Sequence, residues 1–369
     1  HKSPIQTVQL GRFLGKGLLT SNGEYWLKQR RLIQPGFHID KIQAHYSIIK
    51  KTVDEYLNNL PTGKQIDVYP LMNRLAFQIV INSLFNVKVP PQNQIQLSTF
   101  IGEVQEFVIK EVRQPHKNWW FNLSGEVKRN LEKAIGARTI IRNIIHQRKK
   151  SHQKYNDLLD MLLDARYEDN GEAMHEDQTI DEILILLIAG HETTANALSW
   201  TLYLLATHPD ELKKLRTATQ NLSLTECVLN EPLNNTIKES MRLYPPAWIS
   251  DRVALEDDTY KDYSFPKGTI IIVFYYGLHR DKKYWENPTA FIPARFERKN
   301  SVKDVAKAYY PFGSGPRLCI GNNFAMAEMV IFLREIIHRF NLTSVGQVPR
   351  INPLVTLRPD RVLLNIEPL

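Results

Sequence analysis

Cysteine is almost missing: the 369 residues hold two, Cys227 and Cys319. They stand far apart, so no disulfide framework is expected, and a reducing, cytoplasmic setting is the simplest one. No apolar run reaches the roughly 20 residues that a bilayer span needs. The longest, ILILLIAG and TIIIVFYYGL, fall short, so no membrane segment is expected, and HKSPIQTVQL does not read as a secretory leader. Basic residues never form blocks of five or six. The net charge of +8 therefore describes a lysine-rich surface and no nucleic-acid arm. Repeats, low-complexity tracts and linkers are also lacking, which points to one large domain over residues 1–369. At 43% hydrophobic residues the chain is too apolar for a disordered protein.

What is present is mostly helix. IDKIQAHYSIIKKTVDEYLNNL, VYPLMNRLAFQIVINSLF and GEVKRNLEKAIGARTIIRNIIHQRKK carry apolar residues three and four apart. TIDEILILLIAGHETTANALSWTLYLLATHP is apolar nearly all round, which predicts a long buried helix, and Pro209 ends it. Pro245 and Pro246 stop the helix of EPLNNTIKESMRLYPP. WISDRVALED, YSFPKGTIIIVFYYGLH and VTLRPDRVLLNIEPL are rich in β-branched and aromatic residues. The fold class is mainly α with a small β part.

Four features stand out. Ala189-Gly190-His191-Glu192-Thr193-Thr194 interrupts the long apolar helix. Glycine inside a helix costs about 1 kcal/mol relative to alanine, and a buried acid needs a partner. Gly190 leaves space for something bulky, and the Thr193 hydroxyl can reach back to the Ala189 carbonyl and loosen the helix. A plain polar kink explains this stretch about as well. Glu239 and Arg242 share a helix face at i, i+3, an ordinary surface pair by default, with Arg295 a possible third member. Trp26 and Arg30, four apart in WLKQRR, can present an indole N–H and a guanidinium to an anion. A core tryptophan beside a surface arginine is the commoner outcome. Lys28 and Arg31 point elsewhere, to solvent.

The fourth is PFGSGPRLCIG, residues 311–321. Gly313, Gly315 and Gly321 let the backbone turn tightly. Arg317 and the start of the helix that follows both favour a thiolate at Cys319. One thiolate cannot make a structural zinc site. It serves either as a nucleophile, for which no histidine partner is recognisable, or as an axial metal ligand where a macrocycle supplies the other donors.

F-x-x-G-x-R-x-C-x-G at Phe312, Gly315, Arg317, Cys319 and Gly321 resembles the haem-binding signature of the cytochrome P450 family. AGHETT resembles its acid–alcohol motif, Glu239-x-x-Arg242 with Arg295 its structural triad, and Trp26-x-x-x-Arg30 a further motif. Arg252 stands where the family often has a propionate-binding arginine. The motifs run in family order along essentially the whole chain.

The resemblance implies the cytochrome P450 fold and a haem b (protoporphyrin IX iron) with Cys319 as its metal ligand. It places Trp26, Arg30, Arg252 and Arg317 at the propionates, and Phe312, Gly313 and Gly321 around the sulfur. Ala189 and Gly190 leave room for dioxygen, Thr193 hydrogen-bonds the oxygen species and Glu192 relays protons. The implied reaction inserts one atom of dioxygen into a C–H bond of a small organic substrate, a hydroxylation or oxidative dealkylation. The implied electron donor is a separate ferredoxin or flavodoxin-type protein, docked near Lys28 and Arg31. The motif spacing and the wording around the motifs resemble soluble bacterial members that oxidise fatty acids and other small molecules.

A peroxygenase or isomerase of the same fold, and a haem sensor or carrier, are the alternatives; Glu192 and Thr193 argue against the first two. Phe13, Leu14, Leu18, Ile185 to Ala189, Ala247, Trp248, Ile249, Leu354 and Val355 are expected to wall an apolar pocket, roofed by the helices at Phe107 and Trp119 to Phe121. Core packing predicts the same residues. The family's first helix and two strands have no counterpart before HKSPIQTVQL, which predicts an uncovered edge beside GTIIIVFYY.

Overall fold

The computed structural model describes residues 1–297 and 305–369. They cluster in two compact units. The first comprises residues 1–38, 84–189 and 250–273; the second comprises residues 39–83, 190–249 and 274–369.

In the first unit, helix Gly23–Ile33 precedes two long helices, Pro91–Arg113 and Glu126–Ser151, which pack together. Phe13, Phe107 and Phe121 meet edge to face, with centroids 5.9 and 5.8 Å apart. Buried Arg148 donates to Asp157 at 2.9 and 2.8 Å and to Asp160 at 2.6 Å. Asp157 also caps the helix Leu158–Asp164 through the Asp160 N–H, so one carboxylate serves a helix end and a buried cation. The strands expected in ISDRVALED and GTIIIVFYY form an antiparallel pair, Ser250–Val253 with Ile270–Val273. All four residues of the second strand are exposed.

The second unit carries a three-stranded antiparallel sheet. Leu363–Pro368 lies between Gly63–Asp67 and Phe340–Ser344. Asp67 accepts from Tyr69 N–H at 3.1 Å, capping helix Val68–Val80, and from Val362 N–H at 3.0 Å. One side chain thus starts a helix and ties it to the sheet. In helix Ile39–Asn58 the buried residues Ile42, Tyr46, Ile49, Val53 and Leu57 repeat every three or four positions, the stripe the sequence predicts. That helix packs on Asn322–Arg339, in which Val330 to Leu333, Ile336 and Ile337 are fully buried.

The long helix runs Glu176–Thr207 and ends before His208-Pro209. Among the described residues, no helix is long and apolar enough to cross a membrane.

Candidate functional site

The cysteine loop lies wholly in the second unit. Gly313 and Gly315 take φ of 73° and 67°, the left-handed region that glycine enters without strain. A short turn, Gly315–Arg317, follows, and the Cys319 N–H donates to the Phe312 carbonyl at 2.9 Å. The next helix begins at Asn322. Neither cysteine is in a disulfide, and their surroundings differ. Cys227 is buried, which pushes its thiol up to about 11 and leaves it an inert packing group. Cys319 is exposed, with Phe312 and Arg317 half-buried beside it in the loop. No cluster of three or more His, Cys, Asp or Glu side chains among the described residues could hold a metal ion. The Cys319 sulfur is a single soft donor, which fits a metal group that brings its remaining donors with it.

The long helix opens at the positions the sequence singles out. Thr179–Ile188, His191, Glu192 and Thr194–Leu202 are buried, whereas Ala189 is exposed and Gly190 and Thr193 are half-buried. Positions 189, 190 and 193 share one helix face. The Thr194 hydroxyl donates to the Gly190 carbonyl at 2.9 Å. Gly190 has a packing reason of its own, since a Cβ there would come 3.1 Å from Val80 Cγ2.

Glu192 is 4% exposed, and its Oε1 accepts from the Thr356 hydroxyl at 2.6 Å. Asn196 Nδ2 donates to the same hydroxyl oxygen at 2.9 Å. Glu192 also raises the Tyr69 phenol, which burial lifts first and which Arg358 and Asn73 pull back. A second acid, Glu328 on the helix after the cysteine, is fully buried. Burial raises its carboxyl well above the ordinary value.

Glu239 and Arg242 are no surface pair, because both side chains are 0% exposed. Arg242 Nε and Nη2 each donate to Glu239 at 2.8 Å. Its remaining N–H groups reach the carbonyls of His279, Pro288 and Ala290 at 2.7–3.0 Å. All five guanidinium donors are thus used. Arg295 Nε donates to Glu239 Oε1 at 3.2 Å, completing the three-residue set.

In the first unit, Trp26 and Arg30 are half-buried and one turn apart on helix Gly23–Ile33. Arg30 Nε donates to Gln34 at 3.1 Å. Arg252 lies in strand Ser250–Val253 and donates to the Asp251 carbonyl at 2.6 Å. Lys28 and Arg31 are exposed as expected, yet Lys28 pairs with Asp169 and Arg31 with Glu168, the latter at 3.8 Å. The turn at 15–18 is held by the long helix. Asp181 accepts from Lys16 N–H at 2.8 Å and Glu182 from Leu18 N–H at 3.0 Å.

Sequence reasoning missed Thr356, Asn196, Glu328 and Glu182. Glu328 left a signal, an acid set among Phe324, Ala327, Ile331 and Phe332 on an apolar helix. Thr356 left none, because its partner is 164 positions away.

The family model described as Cytochrome P450 matches residues 2–366. Cytochrome P450 4F6 of Rattus norvegicus is 28% identical, over 97% of this chain and 72% of that protein. Cyclooctat-9-en-7-ol 5-monooxygenase of Streptomyces melanosporofaciens is 27% identical, over 90% of this chain and 74% of that protein. These sources, one mammalian and one bacterial, do not single out the bacterial members. The crystal structure of the cytochrome P450DA heme domain superposes with a TM-score of 0.88 at 22% identity, covering 98% of this chain and 82% of that one. At that identity the likeness speaks for the fold.

Proposed function

The chain belongs to the cytochrome P450 family and is a haem-thiolate monooxygenase, and on that premise we propose how its residues divide the work. When bound, the haem supplies dioxygen activation and insertion of one oxygen atom into a substrate C–H bond, the chemistry thiolate ligation favours. Cys319 holds the iron by its sulfur. Phe312 limits water near that sulfur, and Gly313 and Gly321 let the backbone come close. Arg317, Trp26, Arg30 and Arg252 take the propionates, since a buried dianion needs several donors. Ala189 and Gly190 keep the helix face low, Thr193 donates a hydrogen bond there, and Glu192 supplies protons.

The substrate is a largely apolar small molecule, met by Ala247, Trp248, Ile249, Leu354 and Val355. Electrons come from a separate ferredoxin or flavodoxin-type donor. Asp169 and Glu168 already neutralise Lys28 and Arg31, so docking draws less on these two than their charge implies. Exposed pairs of this kind are weak, and an acidic partner can still displace them.

The observation that carries this reading is the placing of the Cys319 thiol on a glycine-turned loop just before helix Asn322–Arg339. Reconstitution with a surrogate ferredoxin and its reductase tests it. Substrate-dependent reductant consumption with oxygenated product is expected. Thr193→Ala should shift turnover from product to peroxide release. Turnover driven by peroxide with no donor would favour a peroxygenase, and no turnover at all a haem carrier.

A further inference from the structure

We propose that Thr356 is a positioning residue for the reaction: its hydroxyl aims the Glu192 carboxyl, and so sets how protons reach the helix face at Thr193. The inference rests on the reading of Glu192 as the proton-supplying acid.

A threonine hydroxyl has one proton to give and lone pairs to accept with. Asn196 Nδ2 donates to the Thr356 oxygen at 2.9 Å, and an amide nitrogen cannot accept. The single Thr356 proton is therefore left for Glu192 Oε1, 2.6 Å away. Asn196 stands four residues after Glu192 on the same helix face. The helix thus supplies both the acid and the amide that orients the acid's donor. Thr356, Asn196 and Glu192 are 8%, 0% and 4% exposed, so bulk water does not stand in for the bond.

The backbone of the turn is fixed as well. The Thr356 carbonyl accepts from the N–H groups of Leu354 and Arg358, both at 3.1 Å. Leu357 N–H donates to Pro246 O at 2.9 Å, and Trp248 and Trp200 donate their indole N–H to the carbonyls of Leu354 and Leu357 at 3.0 and 3.3 Å. A hydroxyl on so fixed a turn can hold a carboxyl in one direction. Tyr69 lies within electrostatic reach of this acid, and Arg358 hydrogen-bonds Tyr69. The Thr356 hydroxyl is a neutral donor to Oε1.

The test uses Thr356→Val, which keeps the shape and removes the hydroxyl, Thr356→Ser, which restores it, and Glu192→Gln. The first readout is the Glu192 carboxyl band in wild-type-minus-E192Q infrared difference spectra of the resting protein, which needs no turnover. The second is product formed per electron pair, with its solvent deuterium isotope effect. T356V should shift the band and lower product per electron pair by about fivefold, the order of one lost hydrogen bond. T356S should restore both, and T356V added to E192Q should cost nothing more. An unmoved band and intact coupling in T356V, with E192Q impaired, overturn the proposal. Intact coupling in E192Q overturns the acid role itself, and the purpose assigned to Thr356 falls with it.

Discussion

Arg242 and Glu239 are joined by two 2.8 Å hydrogen bonds with neither side chain exposed to solvent. Such a pair adds little when compared with an apolar replacement, but removing one member strands a buried charge. Glu239→Ala should lower stability by about 3–5 kcal/mol, read by urea unfolding or by failure to accumulate as folded protein. Arg295→Ala should cost far less, because Arg295 makes one contact with Glu239 and its side chain is 13% exposed. Equal losses would contradict this ordering.

Glu182 should make stability pH-dependent. Burial, then the like charge of Asp181, hold its carboxyl at about 7 instead of the ordinary 4.5, against the Leu18 N–H, Gln178 and Lys2. The folded chain therefore binds the proton more tightly than the unfolded one. This contribution is greatest below about 4.5 and is lost as pH rises to about 7. Glu182→Gln should flatten that window and gain up to about 3 kcal/mol above it, at 1.36 kcal/mol per unit. Urea unfolding of both proteins at pH 5 and pH 8 checks it; parallel profiles would contradict it.

Gly190 and Val80 should be energetically coupled. Alanine gains about 1 kcal/mol of helix propensity over glycine, but overpacking a core costs about 1–3 kcal/mol. With a Cβ only 3.1 Å from Val80 Cγ2, the packing cost should win and Gly190→Ala should destabilise. Val80→Ala should cost less in the G190A background than alone. Additive effects in a double-mutant cycle would show that the contact relaxes freely.

How far the sequence could be read depended on whether a feature is local. The cysteine loop and AGHETT are contiguous, and their glycines and threonines announce a break in regular packing. The helices were legible because residues such as Ile42, Ile49 and Val53 repeat at helical spacing. Glu239 with Arg242 was visible as a pair, but its burial was not. Burial depends on the 279–295 segment covering it, and i, i+3 spacing says nothing of that. Lys28 and Arg31 were rightly placed at the surface, while their acidic partners Asp169 and Glu168 come from a turn about 140 positions away. Thr356 in NPLVTLRP reads as an ordinary strand residue. Its meaning comes entirely from the distant acid it faces.

The account depends most on sulfur at Cys319 binding the haem iron. The direct measurement is the absorption spectrum of the reduced, carbon monoxide-treated holoprotein, beside Cys319→His and Cys227→Ala. The account predicts the strongly red-shifted Soret band of thiolate ligation in the wild type and in C227A, and its loss in C319H. A wild-type band without that shift in correctly folded protein, or a C319H variant that keeps it, would contradict the account.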